Sequence, residues 1–189
     1  MASLDVAKAF DSVAHNTIKE TLQMMGIPDA MTYYISDVYD RSTTILSCGG
    51  VTSQEFHPRC GAKQGDPMSP CIFYMIMDRL LWKILKQVGT DLGEGVSGNG
   101  VAFAGDLVLG ASTPVGLQTT IDIVGGYLAL CGLTVSSGKS LTVSLENVPR
   151  ENRTVVNPRQ VFTCNSRPLQ ALKWSDQWRY LDLRYLHAR

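Results

Sequence analysis

Three short blocks of this chain carry side chains that could do chemistry together. Asp5 stands in Leu4-Asp5-Val6-Ala7-Lys8-Ala9-Phe10-Asp11, and Asp106 ends Phe103-Ala104-Gly105-Asp106, just before Leu107-Val108-Leu109. Between them lies Arg59-Cys60-Gly61-Ala62-Lys63-Gln64-Gly65-Asp66-Pro67-Met68-Ser69-Pro70. Carboxylates on converging strand ends are hard oxygen ligands of the kind that magnesium-type cations take. Two such cations held about 3.5–4 Å apart stabilise the attacking and leaving oxygens of an in-line phosphoryl displacement. Taken singly, the residues say less. An isolated aspartate near a strand end is ordinarily solvated or caps something, and Gly-Asp is an ordinary hairpin turn.

Rigid elements must bring these blocks together. Residues 2–6 read as the end of a strand. Residues 12 to about 25 read as a helix, with Val13, Ile18, Leu22 and Met25 at roughly helical spacing. Gly26-Ile27-Pro28 closes it and opens a second helix to about Tyr39. Thr43–Ser47 and Val51–Phe56, around Cys48-Gly49-Gly50, predict a hairpin. Asp66 is placed as an N-cap, with Pro67 at the first helical position, for a helix from about Met68 to Val88. Its apolar run Cys71–Met77 predicts burial. After the glycine-rich stretch Gly93–Gly100, Val101–Ala104 and Leu107–Leu109 predict the arms of a tight hairpin with Gly105-Asp106 at its tip. A further helix fits Pro114 to about Cys131, and Leu141–Leu145, Val161–Thr163 and Trp178–Leu183 are short strand candidates. The pattern is α+β, an antiparallel sheet with helices on one side.

In this order, Asp-x-x-x-x-Phe, Lys-Gln-Gly-Asp-Pro-x-Ser-Pro and Phe-Ala-Gly-Asp-Leu-Val-Leu resemble motifs A, B and C of reverse transcriptases. The closest likeness is to those of non-LTR retrotransposons, including the site-specific elements that insert into ribosomal RNA genes. The resemblance implies an RNA-directed DNA polymerase that copies element RNA into DNA during target-primed retrotransposition. It implies Mg2+ as cofactor, and RNA template, DNA primer and dNTPs as partners. It also implies a polymerase palm, an antiparallel sheet backed by helices, with part of the fingers. On that basis residues 1–13 are the motif A palm strand, 14–58 fingers-side helices and hairpin, 59–145 palm motifs B, C and D, and 146–189 the end of the palm and the primer-grip region.

The resemblance also assigns roles. Asp5 matches the aspartate that binds both metals, helped by the backbone carbonyl of Val6. The first motif C aspartate, the other principal ligand, is replaced here by Gly105. Asp106 matches the second, which makes a lesser metal contact. Phe10 matches the aromatic beneath the incoming sugar, which clashes with a 2′-hydroxyl. Gln64 and Gly65 match the pair facing the nascent base pair, and Arg59 and Lys63 would face phosphates or template. Lys139, in Gly132-Leu133-Thr134-Val135-Ser136-Ser137-Gly138-Lys139-Ser140, resembles the motif D lysine that protonates departing pyrophosphate. Without the family, Phe10 reads as a core phenylalanine and the basic residues as solvated. Trp178-Arg179-Tyr180-Leu181-Asp182 resembles the primer grip, with Asp182 where glycine is usual. Both departures interchange Asp and Gly, whose codons differ by one base, so either drift in an unselected element copy or a sequencing error would produce them. A copy so damaged is expected to be inactive.

Composition sets outer limits. Lysine plus arginine and aspartate plus glutamate both number 17, a formal charge of zero, so no whole-chain field draws nucleic acid. Cys48, Cys60, Cys71, Cys131 and Cys164 form no Cys-x-x-Cys pair, which predicts buried free thiols in a reducing compartment. Asp5, Lys8 and Asp11 interrupt any apolar leader, and the longest uncharged stretch, Ile123–Gly138, is shorter than a membrane span. The expectation is an intracellular protein with no membrane partner, in the nucleus where the parent element acts. Only four residues precede Asp5, so the chain reads as part of a Pol polyprotein whose N-terminal fingers, thumb and endonuclease lie elsewhere. Two other readings stay open: a non-catalytic nucleic-acid-binding module derived from such a palm, and a folded structural domain without activity.

Overall fold

Alternation of small or apolar with polar residues makes Ala2–Ala7 a strand with one dry face: Ala2, Leu4 and Val6 are buried, whereas Ser3, Asp5 and Ala7 are half-buried. The computed structural model describes residues 1–63, 65–85, 90–91, 97–149, 153–173, 175–176, 178–180 and 183–185. Ala2–Ala7 is central in a six-stranded sheet. Asp106–Leu109 lies on one side of it and Gly100–Phe103 beyond, both antiparallel. On the other side Leu141–Thr142 pairs with its first half and Thr134–Val135 with its second. Gln170–Ala171 joins Leu141–Thr142 in parallel at the edge.

Among the described residues five helices accompany the sheet: α1 (Ala9–Ser12), α2 (His15–Met24), α3 (Asp29–Arg41), α4 (Met68–Leu85) and α5 (Pro114–Leu130). The single helix expected from residue 12 is instead two. Val13 leaves helical geometry with ψ 124, and its side chain is fully buried in the core. The expected stop after α2 is present. Gly26, at φ +75, donates to the Gln23 carbonyl and Ile27 to that of Leu22, a paired C-terminal closure that only a left-handed residue permits. Asp66 caps α4 as expected, its carboxylate accepting the Met68 amide at 2.8 Å. The expected end of α4 at Val88 lies outside the described residues.

Helix α4 is not buried all round. It turns Ile72, Phe73, Ile76, Met77, Leu80 and Ile84 into the core and leaves Cys71, Tyr74 and Trp82 exposed, because packing from α2, α5 and the sheet covers one face only. Together with Ile121, Val124 and Leu128 of α5, these side chains close over Leu4, Leu107 and Leu109 on the dry face of the sheet. The other face keeps Asp5 and Asp106. The expected strand Leu141–Leu145 splits, as Leu145–Val148 turns away to form a separate hairpin with Arg153–Val156. The expected hairpin around Gly49-Gly50 forms, with Ser47–Cys48 against Val51–Thr52 and a bridge between Thr44 and Phe56. Among the described residues no helix is long and apolar enough to cross a membrane.

All five cysteines are free, but only Cys131 and Cys164 are buried. Cys48, Cys60 and Cys71 are exposed, correcting the expectation from sequence: thiol burial follows the helix face and the hairpin, which composition does not report. Burial pushes the Cys131 thiol up, and burial together with the charge of Asp122 does the same for Cys164. Thiolate is the reactive form. An aromatic disulfide reagent at neutral pH should therefore label Cys48, Cys60 and Cys71 rapidly, and Cys131 and Cys164 only after denaturant is added. Peptide mapping of the labelled chain checks this, and rapid labelling of Cys131 in the native protein would contradict it.

Candidate active site

Asp5 and Asp106 are direct cross-strand partners. The Asp5 amide donates to Ser140 Oγ at 3.0 Å and the Asp5 carbonyl accepts from the Ser136 amide at 2.8 Å, so both backbone groups point away from Asp106. The pair is thus of the non-hydrogen-bonded kind, in which Cα atoms lie about 4.5 Å apart and side chains are closest. Val6, one residue on, donates to the Gly105 carbonyl at 2.8 Å and ties the hairpin to the strand. Two carboxylates far apart in sequence are thereby set side by side on the open face.

The third charged group arrives by an interruption in pairing. Thr134–Val135 and Leu141–Thr142 flank a turn, 136–140, that leaves the sheet opposite Asp5. Ser140 is buried. Its hydroxyl donates to the Ser136 carbonyl at 2.7 Å while accepting the Asp5 amide, and the amides of Lys139 and Ser140 also donate to that carbonyl. The turn is pinned to the backbone of Asp5, and Lys139 Nζ stands 3.9 Å from Asp5 Oδ2. The lysine side chain is 75% exposed, so the contact is a solvent-screened one. Sequence reasoning named Lys139 but missed Ser136 and Ser140. Their partner lies some 135 residues away, and no local periodicity signals such a bond.

The hairpin differs from expectation at its tip. Phe103 pairs with Asp106, which makes Ala104-Gly105 the two-residue turn and Asp106 the first residue of the returning strand. Ala104 takes the left-handed φ of +49. A Cβ built on Gly105 would lie 3.1 Å from Ala9 Cβ and 3.4 Å from the Val6 carbonyl oxygen. A side chain at 105 would therefore emerge beside that carbonyl, after a shift of a few tenths of an ångström.

Phe10 follows on α1. Its ring is half-buried and packs on Phe73 of α4, centroids 4.7 Å apart and 32° between planes. The block 59–65 runs alongside it: Ala62 donates to the Phe10 carbonyl and Gly61 to that of Val13. Arg59 and Lys63 are exposed. Gln64 lies outside the described residues, as does Asp182. Gly65 has φ +84, with nothing within 4 Å of a would-be Cβ. A further network that sequence did not suggest holds this block. Ser69 Oγ donates to the Lys63 carbonyl at 2.7 Å and lies 3.3 Å from Tyr39 Oη, both side chains buried.

Gly61 has a stricter reason to be glycine. At φ +98 its Cβ would stand 2.9 Å from the Asp11 carbonyl oxygen, a backbone atom. We expect Gly61→Ala to destabilise the chain by about 2–3 kcal/mol, from left-handed strain plus displaced backbone, lowering Tm by roughly 5–10 °C. A thermal melt within a degree of the parent would show that the 59–62 segment is free to move.

Among the described residues, the strand register and the hairpin turn place two carboxylates and the Val6 carbonyl here. Among the described residues no group of three or more His, Cys, Asp or Glu side chains could hold a metal ion. Two hard cations sharing one site need more carboxylate than this. The residues present do not fit a two-metal centre.

A mostly antiparallel sheet over helices, with carboxylates paired across a strand and a hairpin, defines a class. The chain belongs to the reverse transcriptase (RNA-dependent DNA polymerase) family, which it matches over residues 1–184. It is 39% identical over 98% of its length to a Pol polyprotein from the type-2 retrotransposable element R2DM of Drosophila melanogaster. It is 35% identical, again over 98%, to the Pol polyprotein of a type-1 R2 element of Nasonia vitripennis, and 29% identical to one from Popillia japonica. The chain spans 17%, 18% and 30% of these relatives' own lengths.

Proposed function

We propose that residues 1–189 are the palm, with part of the fingers, of an RNA-directed DNA polymerase of a non-LTR retrotransposon, impaired in this copy by glycine at position 105. The observation that carries the reading is the register that sets Asp5 directly opposite Asp106. Within it, residues 1–13 and 59–145 form the palm motifs, 14–58 the fingers side, and 146–189 the end of the palm and primer grip. Asp5, Val6 and Asp106 are the surviving metal-facing positions, and magnesium is the cation such oxygen donors take. Phe10, braced by Phe73, is the contact that excludes a 2′-hydroxyl. Arg59, Lys63, Gln64 and Gly65 face template and incoming nucleotide, and Lys139 hands a proton to the departing pyrophosphate. RNA template, DNA primer and dNTPs are the partners, and the nucleus is where the parent element would act.

The shortfall in carboxylates favours a second reading, a nucleic-acid-binding module without catalysis. One experiment separates the two. Residues 1–189 are grafted in place of the matching segment of the Drosophila relative, with Gly105 or with Gly105→Asp, and primer extension is assayed on an RNA template. The palm reading expects extension only from the Gly105→Asp graft. Template binding without extension by either form would favour the second.

A further inference from the structure

We propose that the outer surface of α4 and α5 is a self-association site, on which a second copy of this chain docks about a two-fold axis near Gly126. Both helices pack on the dry face of the sheet, so this surface lies on the helical side of the molecule, away from Asp5 and Asp106, and is independent of how that pair is read. Two adjacent glycines of α5 have different surroundings. A Cβ on Gly125 would stand 2.8 Å from Asn165 Oδ1 and 2.9 Å from Cys164 Sγ, so the turn packed there requires glycine. Gly126 has no such reason: it is exposed, and among the described residues nothing lies within 4 Å of a would-be Cβ. Glycine is among the least favourable residues in a helix interior, and what it offers is room for another backbone to come close.

Around Gly126 the surface is apolar and continuous. Lys83, Asp122, Ile123, Tyr127 and Leu130 line an open groove with it. Arg79, one helical turn before Lys83, donates to Thr21 Oγ1 and to Met24 Sδ of α2, which carries the patch across α4 to Met24. Trp82 stands three residues after Arg79 and so beside it on the helix. Leu130 is 80%, Met24 71% and Trp82 63% exposed. Single apolar residues are ordinary on a surface, whereas a contiguous group marks an interface, and tryptophan is a common anchor of one. Charge decides the partner. Lys83, with Nζ 5.4 Å from the Tyr127 ring centroid, and Asp122, which accepts from Gln118 Nε2 at 2.8 Å, stand on the same groove, and among the described residues no ion pair joins them. Under two-fold symmetry each copy meets the same patch of the other, so Lys83 of one copy is matched with Asp122 of the second, twice over. A patch with only one sign of charge would repel itself; this one is self-complementary.

Sedimentation equilibrium of the 189-residue chain tests this from about 1 to about 100 µM, under reducing conditions so that the exposed Cys48, Cys60 and Cys71 form no cross-links. A reversible monomer–dimer equilibrium is expected, with no higher species, because a two-fold contact closes on itself. Leu130→Glu, at a position too exposed to disturb folding, should weaken the dimer about ten-fold or more. Gly126→Ala should act in opposite directions: at a concentration where the chain is monomeric Tm rises by roughly 2–4 °C, while the dimer weakens about five-fold. Lys83→Glu and Asp122→Lys should each weaken it about three- to ten-fold and, combined in one chain, restore it to within about two-fold. A chain that stays monomeric at ~100 µM overturns the proposal and leaves the patch to a helix from elsewhere in a longer polyprotein. A dimer that Leu130→Glu and Gly126→Ala leave unchanged overturns it too, as does a combined charge swap that associates no more tightly than either single change.

Discussion

Gly105→Asp is expected to raise the affinity of the 189-residue chain for Mg2+ or Mn2+ by about thirty-fold while leaving it unable to extend a primer. The magnitude follows from Coulomb's law: one added carboxylate about 4 Å from a dication gains ~2 kcal/mol even at the dielectric of water. The geometry permits it. The new Cβ would emerge 3.4 Å from the Val6 carbonyl, on the same end of the sheet as Asp5 and Asp106, and its tightest neighbour is a single methyl, Ala9 Cβ at 3.1 Å. Ala9 begins a four-residue helix, an element short enough to give by tenths of an ångström. Titration calorimetry reads the affinity. In the graft that carries the remaining polymerase segments, the same change should raise primer extension by orders of magnitude, because each metal contributes several kcal/mol to the transition state. If the graft with Gly105 already extends primers at the rate of the Gly105→Asp graft, two carboxylates suffice and the account of an impaired site is wrong.

Phe73→Ala should produce the largest loss of stability. The side chain is fully buried on the core face of α4, among residues that close over the dry face of the sheet. Truncation of a buried phenylalanine costs about 3–5 kcal/mol through lost transfer energy and the cavity left behind. A domain holds only ~5–15 kcal/mol in total, so Tm should fall by roughly 10 °C or more. The change has a second consequence. Phe10 rests on the Phe73 ring, and without it the aromatic next to the site loses its brace. In an active graft, Phe73→Ala should therefore relax the preference for dNTPs over rNTPs, measured as the ratio of kcat/KM values. A variant that melts near the parent temperature would mean the cavity collapses; unchanged discrimination would mean Phe10 is positioned by its backbone bond to Ala62 alone.

Local sequence determined the elements that obey short-range rules. Leu4 and Val6 alternating with Ser3 and Asp5 make the central strand, Asp66 with Pro67 starts α4, and Gly26 ends α2, because each depends on atoms within a few residues. The three blocks of motif residues were legible for the same reason: their identities and order survive in the chain. Three-dimensional packing decided the rest. Val13 breaks a helix that periodicity would continue, since its side chain fills the core. Register, a long-range property, puts Asp5 opposite Asp106, makes Ala104-Gly105 the turn, and sets Asp106 inside the strand. The turn 136–140 could not be placed by propensity, because its hydrogen bonds reach across most of the chain to Asp5. Only that closure brings Lys139 within reach of the carboxylate.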